Sequence, residues 1–250
     1  YKKDNLAGLY KHNERKNTNY SNKDINKNNS FKNYSIKQCN TTYLNAIKIL
    51  QKENNLQGRI IKTTNVACEL IITSDKDYFK EIGEEETKRY FQTAYSFVSN
   101  YKNLGEKYIL SAKVHMDETT PHMHLTFVPV IHKKDKKTGK QIDKIACSEY
   151  WKGKDSYREL QDNFYKYIIE HGFNLERGKT SNSKHLNIET LKQITNYENI
   201  KYEITQEQIQ PINTKNPELI LKQNNELIKH TNKLKEQLSK SYMAINRVEK

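Results

Sequence analysis

Apolar residues recur along this chain at two spacings, every third or fourth position in some stretches and every second in others, and each spacing predicts a different element. Leu44, Ile47 and Leu50 give one apolar stripe and predict a helix over 42–54. Residues 66–73, VACELIIT, are short and β-branched and predict a buried strand. Ser74 or Asp75 can cap the helix that follows. Its second half sets Phe91, Ala94, Tyr95 and Val98 on one face, and it should end near 103–105.

Strict alternation begins at 107. Over 107–116, Tyr108, Leu110, Ala112 and Val114 fall on one face and Ile109, Ser111, Lys113 and His115 on the other. After a connection over 117–121, residues 122–131 alternate again, Met123, Leu125 and Phe127 against His122, His124 and Thr126. These two strands should form a hairpin. A charged loop, 133–140, leads to a short strand near 141–146. A helix over 155–170 carries Tyr157, Leu160, Phe164 and Ile168 as its packing stripe, with Gly172 beyond its end. Pro211 and Pro217 then punctuate a polar linker, after which Ile220, Leu227 and Leu234 recur every seven residues. The expected organisation is a domain over 1–195, a linker over 196–217 and an amphipathic helix of coiled-coil tendency over 218–250. The first forty residues, rich in Asn and Lys, read as a disordered arm, except that Lys11-His12-Asn13-Glu14-Arg15 packs several chemistries into five positions.

Composition narrows the function classes. With 34% hydrophobic residues in 250 and a mean hydropathy of −1.00, the chain is polar, and no window supplies the apolar run of a spanning helix. No apolar signal core precedes the domain, so the cytoplasm is the default location and membrane insertion is not expected. Cys39, Cys68 and Cys147 are odd in number and lack CxxC spacing, which argues for free buried thiols. The net charge of +13 fits a polyanionic partner, nucleic acid first. An A/T-rich genome produces the same Lys and Asn enrichment, so charge alone does not decide.

The segment His115-Met116-Asp117-Glu118-Thr119-Thr120-Pro121-His122-Met123-His124 is sharper. His122 and His124 are two apart and share a strand face, and the hairpin brings His115 opposite or diagonal to them. Three imidazoles on one face make a three-nitrogen metal site with open coordination positions. Pro121 rules out the helical zinc-peptidase arrangement. Zn, Mn and other divalent ions all suit such a site. Asp117 and Glu118 can orient an imidazole, complete the coordination or move protons.

HxDExTPHxH, together with HNER at 12–15 and SNKDIN at 21–26, resembles the Mob/Pre (MobV) plasmid mobilisation and recombination relaxases of the HUH endonuclease superfamily. LIITSDKD at 70–77 and HGFNLERG at 171–178 extend the resemblance to about residue 185. The family normally has a short strand ahead of the Asn5 region, which this chain, starting at Tyr1, lacks. The resemblance implies an α+β fold, an antiparallel sheet flanked by helices, here with a C-terminal helical extension. It implies a metal-dependent transesterase that nicks and rejoins one strand at a plasmid transfer origin through a 5′-phosphoryl-histidine. His115, His122 and His124 would be the ligands for a divalent ion, Mn or Mg first and Zn also. Glu118 would be an acid/base or coordinating neighbour, His12 the nucleophile, and Arg15 would contact phosphate or steady the reacting imidazole.

Neutral imidazole is a competent nucleophile near pH 7, and Tyr20 and Tyr34 compete with His12 for that role. DNA binding would draw on Lys11, Arg15, Lys23, Lys32, Lys113 and the 133–140 loop, with Tyr20, Tyr34 and Tyr101 offering faces on which unpaired bases stack. The C-terminal helix could serve a homodimer or a coupling protein. Two rival functions stand beside this one. The first is a metal-dependent hydrolase or nuclease working through activated water, and the second is a non-catalytic origin-binding remnant.

Overall fold

The computed structural model describes residues 1–178 apart from 21, 23, 59 and 137, and beyond them 225, 228, 229 and 231–236, which are helical. The expected linker and most of the expected C-terminal helix lie outside the described residues. Residues Tyr1–Gly178 form one compact unit. None of the described helices is long and apolar enough to cross a membrane.

The core of the unit is a four-stranded antiparallel sheet in the order β1 (Tyr34–Lys37), β3 (Ile109–His115), β4 (His122–Phe127), β2 (Cys68–Thr73). The expected hairpin is β3–β4, and its register pairs His115 with His122 and Lys113 with His124. Alternation then gives the sheet two different faces. One carries Val114, Met123, Leu125 and Phe127, all with no measurable exposure. It is backed by α3 (Lys76–Asn100), whose Phe91, Ala94, Tyr95 and Val98 are buried as their spacing required. Outside α3 lies α5 (Ser156–Glu170), with Phe164 against Phe97 and Phe173 against Tyr90. The other face carries the histidines and is covered by α1 (Leu6–Asn13) and α2 (Tyr43–Glu53), the latter capped by Thr42.

Several expectations change. The first forty residues are not a disordered arm: α1, a 3-10 turn at Lys27–Lys32 and β1 occupy them. Leu6 and Leu9 bury an apolar side of α1, Tyr10 meets the buried Tyr43 edge-on at 5.2 Å, and the polar anchors of the helix reach distant residues. β2 is an edge strand and only partly buried, with Ile71 62% exposed on the histidine face. The stretch 122–131 divides at Pro129, which has no N–H to give a ladder, into β4 and β5 (Val130–Lys134). β5 pairs instead with β6 (Gln141–Ile145). A bulge between Ile109 and Ser111 pairs Ile109 with Phe127 and so turns Ile109 to the apolar face, opposite the one its spacing predicted. Gly83 kinks α3 at φ 77, and Tyr157 is exposed, stacked on Trp151 rather than packed in the core. The three cysteines are free, but Cys68 and Cys147 are only partly buried and approach to 3.6 Å between sulfurs.

Candidate functional site

The histidine face is built so that each ring is held by one nitrogen and presents the other. His115 Nε2 donates to the Asn13 carbonyl at 2.8 Å, and His122 Nδ1 to the Thr120 carbonyl at 2.9 Å. His124 Nδ1 donates to Glu69 Oε1 at 3.0 Å. A carbonyl oxygen only accepts, so these bonds fix the tautomers and leave lone pairs on His115 Nδ1, His122 Nε2 and His124 Nε2. Two of these, His115 Nδ1 and His124 Nε2, are buried and have no hydrogen-bond partner among the described residues. The three ring centroids lie 4.7 to 5.3 Å apart. Buried nitrogen lone pairs with no donor are costly in a folded protein, and a divalent cation satisfies them. Burial pushes His115 and His122 below the ordinary imidazole range, which keeps them in the neutral form that binds metal.

Above these rings stands the end of α1. It closes in a Schellman turn, with Arg15 N–H donating to His12 O and Lys16 N–H to Lys11 O, and puts Arg15 in the left-handed region at φ 53. Glycine is the usual residue there, and a side chain costs roughly 1–2 kcal/mol. The turn sends four consecutive side chains to four separate sets of partners. His12 lies over the site, its ring 5.2 Å from His124 and 6.1 Å from His115. Asn13 donates to Glu69 at 2.8 Å and to Thr126 at 3.3 Å. Glu14 accepts from Ser111, and Arg15 forks onto Asp117 at 3.0 and 2.6 Å and reaches Glu118 at 2.6 Å.

The His12 ring makes no hydrogen bond to any described residue, unlike the three below it. Burial lowers its pKa, and the charges of His124 and Arg15 act the same way, so the ring is neutral near pH 7. Ligand atoms of His12, His115 and His124 come within 4.8 Å of one another, as do those of His115, Glu118 and His122. His12 and Glu118 can therefore both reach an ion held here. Burial works against the charge on Asp117, but Arg15 and Ser30, which donates at 2.6 Å, overcome it and hold the carboxyl far below its usual range.

Other expected residues are less central. Lys11 is exposed on α1 beside His12. Lys23 lies outside the described residues. Tyr34 pairs with Val114 and so faces α3, on the opposite side of the sheet from the histidines, where burial raises its pKa and its hydroxyl has no partner. Tyr101 packs on Phe97 at the end of α3, also on that side. Tyr20 does reach the site, 6.2 Å from His12 and beneath the Arg15 guanidinium. It also lines an open polar cleft with Asn22, Ile25 and Lys27.

Residues 1–193 match the Mob_Pre family, described as plasmid recombination enzymes. The chain belongs to this family. Plasmid recombination enzymes of Streptococcus agalactiae and of Staphylococcus aureus (type 1) are 38% and 36% identical to it over 75% and 70% of its length. They align over 36% and 41% of their own lengths, so the chain spans well under half of these relatives. Crystal structures of the MobM relaxase domain (MOBV; Mob_Pre), bound to oriT DNA of plasmid pMV158 and to Mn, superpose with a TM-score of 0.65 at 38% identity. That alignment covers 77% of this chain and 94% of the MobM domain. The α+β fold implied by the motifs is the one observed.

Within this Mob_Pre domain, three contributors escaped the sequence reading. Asn13 holds His115 with its carbonyl and Glu69 with its amide, and Glu69 in turn orients His124. Asn22 donates to Glu118 at 2.7 Å. Alternation within β2 could have exposed Glu69, because it pairs with Thr126 and Ile71 with His124, both on the histidine face. Asn13 and Asn22 lie in the HNER and SNKDIN motifs, but no local pattern assigns them these contacts.

Proposed function

We propose that this domain nicks and rejoins one strand of plasmid DNA at a transfer origin, with His12 as nucleophile. The observation that carries the reading is the contrast among the four histidines: three rings anchored at one nitrogen, and His12 neutral and unanchored above them. A nucleophile must approach phosphorus and then hold it, which suits a ring free to adjust. The lone pair of His12 attacks the scissile phosphorus and the bond to the 3′-oxygen breaks. A 5′-phosphoryl-histidine and a 3′-hydroxyl result, the hydroxyl oxygen having gained a proton. Glu118 is assigned the relay of the proton that the imidazole sheds to the departing 3′-oxygen. Arg15 is assigned a phosphate oxygen, since its buried Nη1 has no partner among the described residues while Nε and Nη2 are engaged. Because the phosphoryl bond to nitrogen keeps the energy of the phosphodiester, the 3′-hydroxyl can reverse the step without ATP.

His115, His122 and His124 would hold a divalent ion, Mn as in the MobM structures, or Mg or Zn. When bound, it supplies Lewis-acid stabilisation of the non-bridging oxygens, worth several kcal/mol in order of magnitude. The DNA strand would lie along the cleft of Tyr20 and Lys27, where an aromatic face and a cation adjoin His12.

The test is denaturing electrophoresis of the protein with supercoiled origin plasmid and Mn or Mg. The expected product is a covalent adduct, labile in mild acid and stable in alkali, lost in His12→Ala and kept in Tyr34→Phe. Nicking without an adduct would point to the hydrolase, and origin binding without nicking to the remnant. An acid-stable adduct that depends on Tyr20 would move the nucleophile.

A further inference from the structure

The β5–β6 hairpin lies outside the histidine site, and nothing in the nicking reaction uses it. Its root is stapled to the domain by a polar network. His132 bridges Asp143 at 2.6 Å and the Asn103 carbonyl at 3.0 Å, and the Tyr108 hydroxyl donates to the other Asp143 oxygen at 2.6 Å. Gln57 adds backbone bonds to Asp143 and Ile145 at 2.7 and 3.3 Å. Two other lysines of the hairpin are ion-paired, Lys133 and Lys144 sharing the carboxylate of Glu149 at 3.1 and 2.9 Å.

The outer part differs. Lys134, Lys136 and Lys140 are exposed, and none of them has an ion-pair partner among the described residues. The carboxylate of Asp135 is turned onto its own loop, accepting from the backbone N–H and hydroxyl of Thr138 at 2.8 Å each, and Asp135 N–H donates to the Lys140 carbonyl. The result is a rigidly rooted two-stranded ribbon with unpaired cations at its tip.

We infer that this hairpin is an arm that grips the phosphates of double-stranded DNA beside the single-stranded nick region. A two-stranded ribbon has the dimensions to lie along a duplex groove, and three ammonium groups clustered at its tip, Lys134 at the end of β5 and Lys136 and Lys140 in the loop that follows, suit the closely spaced phosphates of a duplex. Twelve residues separate His122 from Lys134, a contour of at most about 40 Å, so the arm reaches duplex within roughly one helical turn of the reacting phosphate. The inference rests on the reading that the domain acts on DNA, and adds which DNA form this element holds.

The test compares the full chain with the variant Lys134→Gln/Lys136→Gln/Lys140→Gln by fluorescence anisotropy across a salt series. The probes are a mixed-sequence duplex of about 30 base pairs and an oligo(dT) of about 25 nucleotides, lengths chosen to exceed one binding site. For the duplex, the slope of log K against log salt should become shallower by nearly 3, with affinity falling roughly 10- to 100-fold at 0.1 M salt. Oligo(dT) affinity should stay within about twofold. An unchanged duplex slope, or equal losses on both probes, would overturn the arm. The melting temperature, expected unchanged for three exposed residues, separates unfolding from lost contacts. Failure of adduct formation in the unmutated chain would count against the nicking reading alone, because neither probe needs to be cut.

Discussion

Removing Asp117 should be the most damaging single change at the site, and its size follows from burial. Its side chain has no exposure, that of Arg15 has 9%, and the two form a fork at 3.0 and 2.6 Å. Asp117→Ala leaves a buried guanidinium with Glu118 as its remaining acid and removes the acceptor of Ser30. Breaking a buried pair from one side costs about 3–5 kcal/mol. For a domain of this size that is a fall in Tm of roughly 6 to 20 °C. Urea titration at pH 7 measures it, and Arg15→Ala/Asp117→Ala should lose less than the two single changes added together. The pH dependence supplies a second reading. The folded pKa of Asp117 is depressed, so its contribution is complete above the unfolded value of about 3.9 and is lost as pH falls below that towards the folded value. The stability gap between the native chain and Asp117→Asn should therefore stay level from about pH 8 to 5 and close below about 4. A loss under about 1 kcal/mol, or a gap that stays constant down to pH 3, would mean that the pair behaves as a solvated surface contact.

His122→Ala should abolish metal-dependent nicking while leaving most DNA binding, read by the plasmid assay and by anisotropy, because affinity is spread over phosphate and base contacts elsewhere. Glu69→Gln keeps the shape but weakens the acceptor for His124 and Asn13. It should cut Mn affinity about 10- to 100-fold in a metal titration, and an unchanged affinity would remove Glu69 from the orienting role. Gly83→Ala should cost about 1–3 kcal/mol in urea unfolding, since φ 77 with ψ 178 is glycine territory even though an added Cβ would meet nothing within 4 Å.

The hairpin and its histidines were legible because period-two alternation is a local signal and the connection 117–121 fixes which residues face each other. The same holds for α2 and the second half of α3, and for α5 from Leu160 onward, where apolar spacing agrees with the packing. The N-terminal forty residues were opaque for the opposite reason. Their order comes from Asn13 to Glu69, Arg15 to Asp117 and Ser30 to Asp117, polar bonds that span 56 to 102 positions and leave no periodicity behind. Tyr34 shows the limit from another side. An aromatic ring in a basic segment reads as a candidate for stacking or attack, but which face of the sheet it occupies depends on the β1–β3 register, and that register pairs it with Val114.

A motif of adjacent residues can serve a site made of distant ones only if the backbone fans the side chains apart, and the end of α1 does this. Within α1, neighbouring side chains diverge by about 100°. His12 therefore points at the ring cluster while Asn13, one residue on, points at Glu69 and Thr126. The left-handed step at Arg15 then reverses the chain and carries the guanidinium to the β3–β4 turn, where Asp117 and Glu118 wait. The strain of a non-glycine residue at that step is offset by three charged hydrogen bonds from the same side chain. The order of the proposed roles along HNER follows from this geometry: the unanchored ring comes first on the helix, the buried anchor next, and beyond the turn the cation proposed to meet phosphate, its Nε and Nη2 held by carboxylates and its buried Nη1 without a partner among the described residues.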